Sequence, residues 1–435
     1  MIKMLDLCLA NCKIVHSNQE CNIGVDNGKI SSIQKTPIKA DKIVDLNGKV
    51  VLPGLIDVHV HMRDPGFTYK EDFETGTKSA ATGGFTTVLD MPNTKPPTNT
   101  VQAFNNKIKI GESKSIVDFG IHAGTANSEE IKNFGSLNPA SFKVFMDLHD
   151  DEFLMNIFTE IADLNHITGK EHVISIHAED HEIVRRYTHM KRSENSLDPM
   201  LYADARPPLA EDIAVSKAIL MANEFNLNIH ICHASTKKSL DLIKKAKTKG
   251  CNISSEVTPH HLFLDSSYLE KFGNFAKTNP PLRSKLKKIN LTDIPHTDII
   301  GTDHAPHTIT EKERNIWDAP PGIPGLETAL PLLLNQVNLG KISFKDISRL
   351  LCENPAKIFK LNNKGYIKKG LDADFVVVDM KKEITINSDK FMSKAHYSPF
   401  DGMKVKGIPV MTILRGETVM AEGEIFKTNG KYVYS

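Results

Sequence analysis

The chain has 435 residues, 40% of them hydrophobic and 25% charged, enough for one large core and a smaller accessory unit. Its formal net charge of +1 sets up no field that would draw nucleic acid or an anionic surface, and no uninterrupted apolar stretch of about 18 residues occurs. Nucleic-acid and membrane roles are therefore set aside, and a small molecule is the expected partner. The opening Met1-Ile2-Lys3-Met4-Leu5-Asp6 lacks the basic segment, apolar block and cleavage site of a secretory signal. Six cysteines, at 8, 12, 21, 232, 251 and 352, form no Cys-x-x-Cys pair, so reduced thiols in a cytoplasmic protein are expected.

In chain order, residues 1–52 alternate short β-type runs with turns such as Asp26-Asn27-Gly28 and Leu46-Asn47-Gly48. Residues 363–435 repeat that texture in Asp374-Phe375-Val376-Val377-Val378-Asp379 and Val410-Met411-Thr412-Ile413-Leu414. The two ends are expected to pair into one composite β-sandwich. Residues 53–362 differ in kind, because apolar β-branched runs alternate there with helical stretches, the pattern of repeated βα units. Strands are expected near 54–60, 86–91, 117–123, 141–146, 172–177, 227–233, 251–257 and 297–302. The predicted fold is α/β, a (β/α)8 TIM-type barrel with a small β-sandwich built from both termini.

Active sites of such barrels lie at the C-terminal strand ends, so the polar residues ending each run matter most. The first ends in His59-Val60-His61, whose alternation turns both imidazoles to one face. Neutral histidines also satisfy ordinary cores, so the remaining strand ends decide. The second ends in Asp90-Met91-Pro92-Asn93, the fifth in His177-Ala178-Glu179-Asp180, the sixth in His230-Ile231-Cys232-His233, and the eighth in Gly301-Thr302-Asp303-His304-Ala305-Pro306-His307. Ligand-type residues at four strand ends predict a metal centre, and nitrogen and carboxylate donors favour zinc, with manganese or cobalt as other occupants. Three residues apart, His230 and His233 should point to opposite faces, and His233, nearer the mouth, is the expected ligand. Cys232 is expected to pack.

The fourth strand, Ser141-Phe142-Lys143-Val144-Phe145-Met146, holds one lysine in an apolar run. An unpaired buried ammonium is costly. A neutral lysine amine can add carbon dioxide to form a carbamate, whose two oxygens can bridge two metal ions. The plainer reading has Lys143 snorkel or pair with an acid, leaving Asp147, Asp150 or Asp151 to bridge.

Taken together, these residues resemble the amidohydrolase superfamily and, within it, the dihydroorotase family, over nearly the whole chain. The resemblance rests on Asp57-Val58-His59-Val60-His61-Met62-Arg63-Asp64-Pro65-Gly66, Met91-Pro92-Asn93-Thr94 and Gly301-Thr302-Asp303-His304-Ala305-Pro306-His307, with Glu256-Val257-Thr258-Pro259-His260-His261 and Asn279-Pro280-Pro281-Leu282-Arg283 in further agreement. It implies two Zn2+ ions bridged by hydroxide and a carbamylated Lys143, with His59, His61, His177, His233 and Asp303 as the other ligands. Phe142-Lys143-Val144-Phe145-Met146 is similar to the carbamylated-lysine motif of related cyclic amidases, whereas Asp150-Asp151 is followed by Glu152, not the glycine of the aspartate-bridged variety. The implied reaction is the reversible closure of N-carbamoyl-L-aspartate to L-dihydroorotate and water in pyrimidine biosynthesis, with Asp303 moving the proton. A homo-oligomer is also a family expectation.

The ring carboxylate should be gripped bidentately by Arg63, with Asn93 and His307 as companions by resemblance. Asn279, Pro321 and Gly322 would hold the ring amides, and His61 also borders the substrate. Plainer readings make Asn93 a turn residue, His307 solvent-facing and Asp303 a helix cap. His260 and His261 are read as packing or supporting groups, and His122 and His172 carry no assigned role. The 304–325 segment is expected to cover the barrel mouth, and the basic run Lys237 to Lys249 to be a solvated helix face. Allantoinase or dihydropyrimidinase chemistry is the enzymatic alternative, and a non-catalytic scaffold the alternative of another class.

Overall fold

In the computed structural model, which describes residues 4–15, 20–126, 128–194 and 196–434, eight parallel segments surround one interior. They are Leu55–Val60, Phe85–Asp90, Asp118–Ile121 continued by Ala123–Gly124, Phe142–Phe145, Val173–His177, Asn228–Ile231, Ile253–Val257 and Ile299–Ile300. Strands one to three form one parallel sheet and the continuation of strand three through strand eight another. The break falls at His122, whose Nε2 meets Val58 O at 3.0 Å and Nδ1 meets Ser141 Oγ at 2.6 Å, so its imidazole ties strands one and four across the interior. Strand eight returns to strand one through a Val60–His304 bridge and a bond from His61 N to His304 O of 2.8 Å. The (β/α)8 architecture is thus present.

Beneath the mouth the interior is a layer of small polar groups. Ser141 donates to Ser175 at 2.7 Å, His230 meets Ser254 at 2.8 Å, and Phe359 lies edge-on beneath His122 and His230. This floor leaves room above it for long side chains from the strand ends.

The termini build the second sheet. Val50–Pro53 pairs antiparallel with Phe375–Thr385, placing Val51 opposite Val377. Leu5–Ile14 pairs with three neighbours and so branches the sheet. Leu7, Leu9, Ile23, Val51, Phe375, Val377 and Ile413 share its apolar core, giving the expected sandwich from both ends. Not all of 363–435 lies in it. Residues 386–403 leave between Phe375–Thr385 and Lys404–Leu414, and Ile386, Tyr397 and Phe400 pack against Leu282 and Ile323 of the barrel loops. The last sheet strand is Glu424–Ile425, after which the chain crosses to barrel strand three, where Val433 N donates to Phe119 O at 3.0 Å. Tyr432, buried there, and the partly buried Tyr434 account for the crossing. The six cysteines are free thiols, and no helix among the described residues is long and apolar enough to cross a membrane.

Candidate metal centre and active site

Four strand ends converge. His59 and His61 both aim Nε2 at Asp303 Oδ1, at 3.4 and 3.0 Å. Across the mouth His177 Nδ1 faces His233 Nε2 at 3.1 Å, and the His59 and His233 ring centres are 5.2 Å apart. Donor atoms of His59, His233 and Asp303 fall within 4.8 Å of one another, close enough to share an ion. Arg63, His233 and Asp303 adopt left-handed backbone, φ +58, +35 and +47°. That conformation costs non-glycine residues about 1–3 kcal/mol each, and such strain gathers at functional sites.

Carboxylates behind the ring fix which nitrogen each histidine presents. Glu256 Oε1 accepts from His59 Nδ1 at 3.0 Å, leaving Nε2 for the mouth. Glu179 Oε2 accepts from His177 Nε2 at 2.9 Å, leaving Nδ1. Asn93 Oδ1 accepts from His61 Nδ1 at 2.7 Å. These are the supporting bonds that set tautomer and basicity in metal sites. Arg206 holds Glu179 and also Asp147, each at 2.6 Å. The sequence alone assigns no role to Glu256, Glu179 or Arg206, although Glu256, like Lys143, is a charge inside a buried strand.

Burial alone would lower His59, yet the Glu256 and Asp303 carboxylates lift it to about 10. The cluster therefore favours positive charge between His59 Nε2 and Asp303, which a cation supplies as well as a proton. Burial takes His61 down to about 4 and His233 well below its usual range, so both offer lone pairs. Burial opposes ionisation of Asp303, but the His59 and His61 rings hold it below the usual carboxylate range. His233 Nδ1 is buried and without a hydrogen-bond partner among the described residues. Facing nitrogens and an ionised carboxylate with no thiolate fit divalent metal.

Lys143 is 1% exposed, so it does not snorkel. Its Nζ lies 3.0 Å from Cys232 Sγ and 5.1 Å from the Phe145 ring centre, and no carboxylate lies within ion-pair distance among the described residues. The plainer reading of this lysine therefore fails. Of the aspartates offered in its place, Asp150 caps the helix Asp151–Thr168 by accepting from Phe153 N and Asp151 pairs with Lys217, whereas Asp147, held by Arg206, lines the mouth with Oδ1 3.7 Å from His177 Nε2. A second correction concerns strand six. His230 also faces the interior, its Nε2 3.5 Å from Glu256 Oε2, because the strand ends at Ile231 and the left-handed turn at His233 resets the alternation.

A cavity of about 310 Å³ opens over this cluster, lined by every predicted site residue except Lys143. Arg63 donates from Nε to Pro306 O at 3.2 Å, and its terminal nitrogen lies 3.1 Å from His307 Nε2. Asn279 Oδ1 accepts from Tyr202 OH at 2.5 Å. Gly322, at φ +138°, allows the wall to pass close: a Cβ there would sit 2.4 Å from Ala305 O. Gly301 makes similar room, since a Cβ would meet the Glu256 carboxyl carbon at 2.6 Å. The 304–325 segment is pinned: Lys312 Nζ donates to Pro320 O at 3.0 Å and Gly322 O at 2.9 Å, Lys277 donates to Ile316 O and Ala319 O, and Tyr397 OH donates to Gly322 O at 3.1 Å. It forms a wall of the mouth through Ala305, His307, Pro321 and Gly322. His261 is structural, bridging Thr258 and Pro280 O, as is His172, bonded to Asn165. Asp90 pairs with buried Lys107 and takes no part.

Residues 50–419 match the amidohydrolase family, and the chain belongs to it. Within that family it is similar to a dihydroorotase of Methanothermobacter thermautotrophicus, 49% identical over 430 residues that cover 99% of this chain and 97% of the relative. A dihydroorotase of Pyrococcus furiosus is 41% identical over 405 residues, 93% of this chain and 89% of its own. Among solved structures, the L-hydantoinase (dihydropyrimidinase) from Arthrobacter aurescens superposes with a TM-score of 0.93 at 32% identity, covering 99% of this chain and 100% of that one.

Proposed function

We infer that this chain is a dihydroorotase, a hydrolase of cyclic amides that closes N-carbamoyl-L-aspartate to L-dihydroorotate with release of water and runs the reverse hydrolysis. The observation that carries the reading is Arg63 beside His307 and Asn93 on one wall of the cavity that holds the histidine cluster. A six-membered cyclic amide bearing a carboxylate presents an anion on one side and a reacting carbonyl on the other, which is the spacing this wall and cluster suit.

His59, His61 and Asp303 would hold one Zn2+, and His177 and His233 a second, with carbamylated Lys143 shared between them. When bound, the metal pair polarises the ring carbonyl and makes water acidic enough to react near neutral pH. The carbamate turns a buried cation without a counter-charge into an anion, which removes the desolvation problem at Lys143 and matches the positive charge beside it. Asp303 is ionised and lines the cavity, so it accepts the proton lost by the attacking water and returns it to the departing ring nitrogen. In ring closure the same carboxylate moves the proton the other way. Asn93 spends its carbonyl on His61, which leaves its amide N–H groups to the substrate. The guanidinium of Arg63 pairs with the ring carboxylate, and Asn279 with the backbone at Pro321 and Gly322 meets the ring amides. The product ring is a pyrimidine precursor, and the free thiols suit the cytoplasm.

The hydantoinase likeness favours a second reading, an amidase for uncharged rings. Arg63 separates the two. Arg63→Met removes the charge-assisted bonds to the carboxylate, worth roughly 1.5–3 kcal/mol, so KM for L-dihydroorotate should rise about ten- to a hundredfold. An unchanged KM and kcat on dihydroorotate would place the carboxylate elsewhere and favour the uncharged-ring reading.

A further inference from the structure

Lys70 lies in the loop after barrel strand one, outside every role given above. Its ammonium is fixed by an ion pair to Glu311 at 2.8 Å and by the faces of Phe67 and Tyr69, whose ring centres are 5.4 and 5.6 Å away. Glu311 is itself held in a capping box with Thr308. From this fixed position Lys70 Nζ stands 3.2 Å from His307 Nδ1.

An ammonium has only donors, so Nδ1 can bond to it only through a lone pair, and a neutral imidazole then carries its hydrogen on Nε2. That hydrogen has an acceptor, Pro321 O, 3.0 Å from Nε2. The one mismatch is the Arg63 terminal nitrogen, a donor 3.1 Å from Nε2. In the opposite tautomer Arg63 would be satisfied, but Nδ1–H would confront the Lys70 ammonium and the Nε2 lone pair would confront the Pro321 carbonyl. One mismatch against two favours hydrogen on Nε2. Burial, with Arg63 and Lys70 as positive neighbours, also holds His307 far below its usual range, so the doubly protonated form does not enter.

We propose that Lys70 is a positioning residue for substrate selectivity: it locks His307 as the Nε2–H tautomer, whose hydrogen goes to Pro321 O, so that His307 cannot accept from Arg63 and the terminal guanidinium N–H stays free for an anion seated there. The selectivity half rests on the carboxylate-binding reading given under Proposed function. Without Lys70, His307 can turn its hydrogen to Nδ1 and accept from Arg63, which occupies a guanidinium donor that the anion would use.

The test uses the full-length, metal-loaded protein labelled with 15N-histidine, with the His307 signals identified by their loss in His307→Gln. Wild type should show a pyrrole-type Nε2 and a pyridine-type Nδ1; the reverse pattern overturns the proposal whatever the substrate. Lys70→Met should shift His307 toward the other tautomer and raise KM for L-dihydroorotate roughly tenfold or more, with kcat within about threefold. Lys70→Arg keeps a donor at Nδ1 and should retain both the wild-type tautomer and KM. Wild-type nitrogen shifts in Lys70→Met, or a KM unmoved by a changed tautomer, would overturn the role given to Lys70. If Lys70→Met does not fold, a Lys70→Arg variant that loses the wild-type tautomer overturns it as well. Absence of dihydroorotate turnover in wild type would instead sink the proposed function, and the substrate-free nitrogen shifts would still decide the tautomer.

Discussion

Asp303→Asn is expected to reduce kcat by about a thousandfold or more, within the range that removal of a positioned proton-transfer group produces. The amide keeps an oxygen of the same reach toward His59 and His61, which now stand at 3.4 and 3.0 Å, so metal content should remain close to wild type. What the amide cannot do is take up a proton. Turnover and metal content measured on the same sample separate the two roles given to this side chain. Retained turnover with metal bound would remove Asp303 from proton transfer, whereas loss of metal along with activity would make it a ligand first.

Lys143→Met is the second large effect, and its signature is a split between stability and activity. Methionine fills much the same buried volume without a charge, and among the described residues Lys143 has no acid to lose. Removing an unpaired buried ammonium should leave the melting temperature of the metal-stripped protein unchanged or raise it. Metal retention should fall below the wild-type complement and turnover by about a thousandfold, since one anionic bridging ligand has gone. The intact wild-type protein, held in bicarbonate at neutral pH, should weigh more than its sequence by one carbon dioxide and lose that increment in acid. A Lys143→Met enzyme with normal metal and normal kcat would make the lysine structural and leave the carbamate without a purpose.

The sequence was most legible where chemistry contradicts its surroundings. His59, His61, Asp303 and Lys143 stand out because imidazoles, carboxylates and an ammonium are costly within or just beyond apolar strands unless something repays them. Barrel topology then predicts that residues far apart in the chain meet at one mouth, and they do. The alternation rule failed at His230 and His233, because it describes an extended strand and the strand ends between them at Ile231. Lys70 and Arg206 were invisible for another reason: their partners, His307 and Glu179, lie 237 and 27 residues away, and no local pattern marks a charge that orients a distant ring. The 304–325 segment reads from its length as a cover over the barrel mouth, while the Lys312 and Lys277 bonds that fasten it run to backbone carbonyls, which a sequence does not display. The terminal sandwich was legible as strands, while the crossing of Tyr432 and Tyr434 to the barrel depends on the apolar surface that awaits them there.

The reaction is tested by following loss of L-dihydroorotate by ultraviolet absorbance with zinc-reconstituted protein, alongside allantoin and dihydrouracil. Chelator-sensitive turnover of dihydroorotate is expected, with the uncharged rings slower by roughly the ten- to hundredfold that one charge-assisted contact provides. Faster turnover of allantoin or dihydrouracil, or no turnover of any ring by protein shown to hold its metals, would contradict it.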